Sequence, residues 1–574
     1  MANYFTDNKD ILFQFENLNI QEIVDLTEDG YNEVTEYNFA PKDYQDAMDN
    51  YHKVLEIVGD IAANIVAPNA ADVDLEGNYI DENGKVIYAK GTQEALRQLS
   101  QAELMGFTLP RKFGGINFPT TIYTIAIEMI SRADASLMNI FGLQDIAETI
   151  NKFGDEEQKK EFLPQFASGE ATGAMVLTEP DAGSDLQAVK LQAYEDEKGQ
   201  WRLRGVKRFI TNGGGNILLV LARSEAGTKD GRGLSMFACY GDKTVKIRRL
   251  ENKLGIHGSP TAEMQFNDTP AQLVGKRKYG LIKYVMDLMN GARLGVSAQA
   301  LGISQAAYEE ALSYAKAREQ FGQPIYNIPV VTNMLIDMRV TLESNRSLLY
   351  ETAKWVDLRD KFNEKIEHLK AEEKSFAEEN ERAKEATKIA ALLTPLTKYI
   401  LTESANQITY DALQIHGGAG YMKDFIIERL TRDARITNIY EGTSQLQVVA
   451  AIGGVINDIL GQRFNENGKR TYKGNLVQLA AHMKEIRRIF LTSLKYVQDK
   501  NDKYFQDVAA KELVDMYGYL VTGYLLLDEA EIDNHKVFIA NRYIISCVAK
   551  ARKNAEAIKN EQFSDILHAD EILI

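Results

Sequence analysis

Cysteine is almost missing from this chain: Cys239 and Cys547 are the only two in 574 residues. Both sit in apolar stretches, so a disulfide framework is excluded and both read as reduced core residues. Histidine is sparse as well. Its seven copies (His52, His257, His368, His416, His482, His535, His568) have no metal-ligand spacing between them, which argues against a metal centre. No run approaches the apolar length needed to cross a bilayer, so no transmembrane segment is expected. The opening residues, Met1 to Asp7, contain neither a basic segment followed by an apolar one nor an Arg-rich amphipathic pattern. Secretion and organelle import are unsupported, and a cytoplasmic location is expected. Positive charge is in deficit: the net charge is −16. That balance repels a phosphate backbone, and nucleic acid is not an expected partner.

What is present is an ordinary globular composition, 45% hydrophobic and 26% charged, in a chain long enough for about three or four domains. Residues 1–45 are acidic and mixed, and read as an N-terminal arm. Residues 46–170 carry mostly helical apolar spacing, as in Ala95-Leu96-Leu99-Ala102-Leu104, Ile122 to Ile130 and Leu137 to Ile150. At Ala171 the texture changes. Short apolar or alternating runs (Ala174 to Leu177, Ala188 to Tyr194, Trp201 to Ile210, Ile217 to Ala222, Leu234 to Tyr240) predict a middle β domain over 171–278, antiparallel and barrel-like. Helical spacing returns at Leu281. Residues 279–462 read as a helical bundle with a charged insertion near 357–388, a solvated helical hairpin laced by i,i+4 pairs. Residues 463–574 read as a C-terminal helical extension.

The stretch Arg432 to Gln445 places a carboxylate, Glu441, between Tyr440 and Gly442, just before a new apolar-periodic run from Leu446 to Leu460. Thr443 or Ser444 can cap that run, and Gly442 lets a ligand come close to the backbone. Such a Glu can be a positioned base or simply a solvated residue in a capping turn. Thr178-Glu179-Pro180-Asp181-Ala182-Gly183-Ser184-Asp185 is a hydroxyl-rich turn that can hold a polar heterocycle or merely connect two strands. Phe209-Ile210-Thr211-Asn212-Gly213-Gly214 sets an aromatic and a hydroxyl at a strand end. Gln414-Ile415-His416-Gly417-Gly418-Ala419-Gly420 is glycine-rich but lacks the strand-first frame of a dinucleotide fold.

In combination and order these blocks resemble the acyl-CoA dehydrogenase family, from about residue 90 to 460. Further matching blocks are Gly154-Asp155-Glu156-Glu157-Gln158-Lys159, Leu163-Pro164 and Ala317-Arg318-Glu319-Gln320-Phe321-Gly322. The flanking segments look like those of the longer bacterial members with a C-terminal helical extension. The resemblance implies a mostly α fold with a central β-barrel domain: a helical N-terminal domain, the β domain, a C-terminal four-helix bundle and extra helices. It implies FAD as cofactor, an acyl-CoA substrate and α,β-dehydrogenation in fatty acid β-oxidation. Electrons would pass to an electron-transferring flavoprotein, and the assembly would be a homodimer or homotetramer. The extension would cover the surface that a second dimer occupies in shorter members.

By position, Glu441 takes the α-proton, and expulsion of water by the acyl chain raises its pKa toward a useful range. Its own peptide N–H and a flavin hydroxyl stabilise the thioester oxygen. A minority of the family carries the base at the position of Ala292, which cannot ionise. Thr211 and Ile210 would lie at the flavin, with Phe209 over one face and Met175, Val176, Leu177 and Thr178 at the pyrimidine end. Thr443 and Gln445 would touch the flavin nucleotide. Arg318, Phe321, Gln414, Ile415, His416, Gly417 and Gly418 would reach the diphosphate and adenosine of a neighbouring subunit's cofactor. Ser184, Asn290, Arg293, Tyr440 and Gly442 would contact substrate. Ile328-Pro329 replaces a His-Gln pair common in the family, and Pro offers no donor for an adenine. Two other readings stay open: an acyl-CoA oxidase using oxygen, and a flavin-bearing DNA-associated relative. The acidic balance disfavours the second.

Overall fold

The computed structural model describes residues 1–142, 144–561 and 564–574, and the chain divides into two compact units. One comprises Met1–Ala306 with Ala419–Thr437; the other comprises Ala307–Gly418 with Asn438–Ile574.

The first unit opens with α1 (Lys9–Glu16) and α2 (Gln21–Glu28), so the acidic arm is structured. It is tied down by a fully buried bidentate pair, Arg111 to Glu28 at 2.8 and 2.9 Å. Helix α3 (Tyr44–Ile61) continues through a π turn at Ala62–Val66 into α4 (Ala67–Glu76). Within its 33 residues an 18-residue window reaches a mean hydropathy of 1.3, enough by length and composition to cross a membrane. The test is passed on length and composition alone, and Tyr51, Leu55, Val58, Ala62, Val66 and Ala70 turn into the unit's core. After a small hairpin, β1 (Tyr79–Ile80) with β2 (Val86–Ile87), come α5 (Lys90–Gln101), α6 (Thr120–Ala133), α7 (Ala135–Phe141), α8 (Gln144–Phe153) and α9 (Glu156–Ser168). The Gly154 to Lys159 block has a local cause. Asp155 and Gln158 form a reciprocal capping box at the start of α9, satisfying two otherwise orphaned N–H groups.

The barrel follows: β3 (Gly173–Val176), β4 (Gln192–Glu195), β5 (Trp201–Thr211), β6 (Ile217–Arg223), β7 (Leu234–Tyr240), β8 (Val245–Leu250) and β9 (Thr261–Val274). Pairings β6–β4, β4–β5, β5–β9, β9–β7 and β7–β6 close the ring, with β3 added beside β6 and β8 beside β9. Strand β6 is apolar at every residue from Ile217 to Ala222 because both its faces are covered. Ile217, Leu219 and Leu221 meet Ala147, Phe162 and Leu163, while Leu218, Val220 and Ala222 meet Val176, Leu203 and Phe237. Most pairings are antiparallel as expected. The exceptions are β3–β6 and the Gln192–Arg223 bridge of β4–β6, which are parallel. Forty residues separate β3 from β6, ample for the crossover a parallel pair requires.

Helix α10 (Met286–Ala317) leads from the first unit into the second. A hairpin missed by the all-helical reading comes next, β10 (Glu319–Gln320) with β11 (Gln323–Pro324). Helix α11 (Pro329–Ala371) has Pro329 at its first position, where a missing N–H costs nothing, and it pairs with α12 (Ala377–His416). The charged 357–388 segment is the far half of this helix pair. Helix α13 (Ile426–Thr437) belongs to the first unit. The second unit is completed by α14 (Ser444–Ile456), α15 (Gly461–Lys469), α16 (Leu476–Lys500), α17 (Lys503–Val508), α18 (Ala510–Ile532) and α19 (Asn534–Lys559). The extension packs onto the bundle, α18 against α14 and α11, and α19 against α11. A buried charge cluster links them: Glu343 of α11 pairs with Lys536 of α19 at 2.9 Å, and Lys536 also meets Glu529 at 3.0 Å.

Candidate active site

In the first unit, the ends of β3 and β5 are joined by the Arg208 N–H, which donates to the Thr178 carbonyl at 3.0 Å. Here β5 loses register against β9 between Lys207 and Ile210, and Phe209 takes a left-handed backbone, φ +60°. Such a conformation costs a non-glycine residue about 1–3 kcal/mol and clusters at functional sites. It turns the Phe209 ring outward, 50% exposed. Beneath it, the fully buried Lys207 donates to the Leu177 carbonyl at 2.6 Å and pairs with Glu179 at 3.1 Å. The Glu179 carboxylate in turn accepts from the Lys190 and Leu191 N–H groups at 2.8 and 2.9 Å. Burial pushes the Lys207 amine down to about 8, against the pull of Glu179. The pair thus braces the whole Thr178 to Asp185 turn. Asn212, also at positive φ, donates to the Gly173 carbonyl at 2.8 Å and fixes the other side.

The half-exposed hydroxyls of Thr178 and Thr211 take no side-chain partner among the described residues, so both are available to a ligand. Val176, Leu177 and Ile210 bury their side chains in the barrel's cores, leaving backbone and the half-buried Met175 for contact. Ser184 is exposed on the turn. Asn290 and Arg293 lie in the early turns of α10, where Arg293 is buried and donates to the Asn290 amide oxygen at 3.2 Å.

Helix α13 is locked to the barrel within the same unit. Arg432 holds Asp74 (2.6 Å) and Glu428 (2.7 Å), and the buried Asp433 carboxylate accepts from the Ile256 N–H at 2.5 Å. Burial raises the Asp433 carboxyl to about 7, with Ile256 and Arg429 opposing.

In the second unit, Glu441 has φ +55° and Gly442 φ +92°. Glu441 is half-buried. Thr443 caps α14 by accepting from the Leu446 N–H, so of the two candidates the cap is Thr443. Ser444 instead donates to Glu403, which also receives the Asn438 amide at 2.9 Å. Lys398 donates to the Tyr440 and Gly442 carbonyls at 2.9 and 2.7 Å, and Gln447 to those of Glu441 and Gly442 at 3.1 and 2.9 Å. Gln445 is exposed, and α14 ends at Ile456, short of Leu460.

The glycine-rich segment and the hairpin carry the remaining candidates. Gln414 is exposed and Ile415 buried. The His416 ring is buried in a stack on Tyr314, centroids 4.3 Å apart, with Nδ1 at 2.8 Å from the Ala412 carbonyl. A Cβ on Gly417 or Gly418 would meet nothing within 4 Å; Gly417 has φ +60° and is glycine for its backbone, whereas at Gly418 nothing in the surrounding space requires a bare position. Phe321 and Gly322 form a two-residue turn with φ +55° and +77°, and the Phe321 ring is 91% exposed beside the exposed Arg318. A positive φ is a costly conformation for so bulky a residue.

Glu403, Lys398, Gln447, Lys207, Glu179 and Asp433 escaped assignment from sequence. One signal was available. Lys398 interrupts the apolar run from Leu392 to Leu401, where a cation must be paired to be buried.

The acyl-CoA dehydrogenase N-terminal domain model matches residues 49–170, the middle-domain model 174–269 and the C-terminal-domain model 282–452. A further model, acyl-CoA dehydrogenase C terminal, matches 460–566. The 3-methylmercaptopropionyl-CoA dehydrogenase of Ruegeria pomeroyi is 33% identical over 471 residues, 77% of this chain and 75% of that protein. The structure of butyryl-CoA dehydrogenase from Megasphaera elsdenii covers 71% of this chain and 98% of its own, at 30% identity and TM-score 0.59. An acyl-CoA dehydrogenase from Bacillus anthracis, solved with FAD, shares the fold over 89% of this chain and 88% of its own, at 23% identity and TM-score 0.74. The chain belongs to the acyl-CoA dehydrogenase family. As a member it is an oxidoreductase acting on acyl-CoA.

Proposed function

We propose that this protein is an FAD-dependent dehydrogenase that converts an acyl-CoA to its trans-2-enoyl-CoA, with Glu441 as the base. The observation that carries the reading is a carboxylate held on a strained left-handed turn, followed by a bare glycine, at the start of α14. The Glu441 carboxylate takes the proton from the carbon next to the thioester and becomes a carboxylic acid. The peptide N–H of Glu441 donates to the thioester oxygen as negative charge gathers there. A bound FAD would supply the acceptor for the β-hydrogen leaving as hydride. The residues fit a flavin: two hydroxyls without side-chain partners, Thr178 and Thr211, beside the outward Phe209 ring supply hydrogen bonds and an aromatic face. Met175, Val176, Leu177 and Ile210 contribute the surrounding strand ends, and Thr443 and Gln445 the nucleotide contacts. Ser184, Asn290, Arg293, Tyr440 and Gly442 are assigned to the acyl-CoA. Arg318, Phe321, Gln414, Ile415, His416, Gly417 and Gly418 are assigned to the cofactor of a second copy of the chain. The open space around Gly418 and the exposure of Phe321 support that assignment.

An electron-transferring flavoprotein as acceptor, a homo-oligomer, a cytoplasmic location and a role in fatty acid breakdown belong to the same proposal. The test is an anaerobic panel of acyl-CoA thioesters followed by flavin bleaching, with wild type and Glu441→Gln. The variant should retain FAD and bind acyl-CoA while flavin reduction falls roughly 10³-fold or more. Reduction at the wild-type rate by the variant would remove Glu441 from the role. Peroxide release matching turnover in air would make the protein an oxidase.

A further inference from the structure

We propose that Lys398, assisted by Gln447, is a positioning residue that sets the direction of the Glu441 peptide N–H and the acidity of its carboxyl group. The inference rests on the reading of Glu441 as the base. Lys398 is completely buried in α12, and its ammonium spans two carbonyls of the turn, Tyr440 and Gly442. Gln447, likewise fully buried, holds the carbonyls of Glu441 and Gly442 from α14. Three successive carbonyls are therefore drawn to donors inside the unit. No peptide bond among the described residues is cis, and in a planar trans peptide the N–H points opposite to the C=O. The Tyr440 carbonyl and the Glu441 N–H share one peptide. Fixing the first onto Lys398 aims the second directly away from it. The same holds for Gly442 and Thr443.

A left-handed glutamate is costly, and the buried ammonium and amide supply the hydrogen bonds that hold it. The lysine does more than a neutral donor. Its charge polarises the Tyr440–Glu441 peptide, making that N–H a stronger donor to developing negative charge. A cation behind the turn also favours the ionised form of the nearby carboxyl. Glu403, one turn and a half further along α12, secures the flanks through Asn438 and Ser444. The turn is thus held at its ends by an anion and at its centre by a cation.

The experiment compares Lys398→Met, which keeps the length and loses the charge, with Gln447→Leu, which loses only neutral donors. Each is measured as FAD-loaded enzyme on the fastest member of a C4 to C16 acyl-CoA panel. FAD content, thermal midpoint and the acyl-CoA dissociation constant by calorimetry are measured alongside. Both variants should lose roughly 10² in kcat, the scale of one oxyanion donor, with the acyl-CoA dissociation constant within about threefold of wild type. Only Lys398→Met should move the acid limb of the kcat/KM profile to higher pH, and Lys398→Arg should restore that limb in part. If Lys398→Met does not fold, the Gln447→Leu kcat, with Lys398→Arg for the limb, decides. Folded variants with wild-type kcat, or a loss confined to acyl-CoA affinity, would overturn the proposal. Failure of the underlying function reading looks different: no acyl-CoA would reduce the wild type, or Glu441→Gln would remain fully active.

Discussion

Asp433 gives a prediction of unusual sign: removing its charge should leave the protein at least as stable near neutral pH. The carboxyl is buried, its Oδ1 accepts the Ile256 N–H, and burial raises it from 3.8 to about 7. An acid whose pKa is higher in the folded state binds protons more tightly there. Its contribution is fully present below the unfolded value near 4 and is lost as pH rises through 7. About three pKa units at 1.36 kcal/mol each make the loss about 4 kcal/mol between pH 4 and pH 8. An asparagine amide in its place would mimic the protonated acid and keep an oxygen for Ile256. Asp433→Asn should therefore flatten the pH dependence and gain on wild type at pH 8, on the order of 5–10 °C in thermal midpoint for a unit of this size. Asp74, Asp134 and Arg429 also act on this carboxyl, so the difference between the two curves across pH is the quantity to read. The assay is thermal unfolding at pH 5, 6.5 and 8 with saturating FAD throughout. Equal destabilisation of Asp433→Asn at all three values would refute the reasoning, because it would mean the ionised form is the one the fold requires.

Lys536→Met should cost on the order of 1–3 kcal/mol, because Glu343 and Glu529 lose their shared lysine while Glu343 keeps Arg339, and Glu343→Gln in the same chain should recover part of it in urea unfolding. Phe321→Gly should leave the thermal midpoint unchanged or slightly higher, since it relieves a strained turn and removes an exposed ring, yet FAD should be lost faster on dilution. Unchanged FAD retention would remove Phe321 from the cofactor site.

Much of the fold could be read locally. The fully apolar Ile217 to Ala222 strand and a cap at Thr443 or Ser444 depend on near neighbours in the chain, and the structure settles the cap on Thr443. The β10–β11 hairpin was missed because two strand residues on each side of Phe321-Gly322 give no alternation to detect. The parallel β3–β6 pair was missed because its paired residues, such as Gly173 and Ile217, are far apart in the chain. Glu441 stood out through its own turn residues. Lys398, Gln447 and Glu403 did not, because their roles exist only once α12 and α14 are packed. Likewise Asp433 reads as an ordinary surface acid until Ile256 arrives from the barrel.

From Lys398 to Gln414 helix α12 runs 16 residues without a proline, about 24 Å of continuous rod. One end grips the turn that carries Glu441; the other opens into the glycines assigned to a second copy's cofactor. A rod of that stiffness has little means of absorbing a push locally. If a second copy's cofactor seats at Gly417 and Gly418, as proposed, the same rod ties that seat to the ammonium under Glu441.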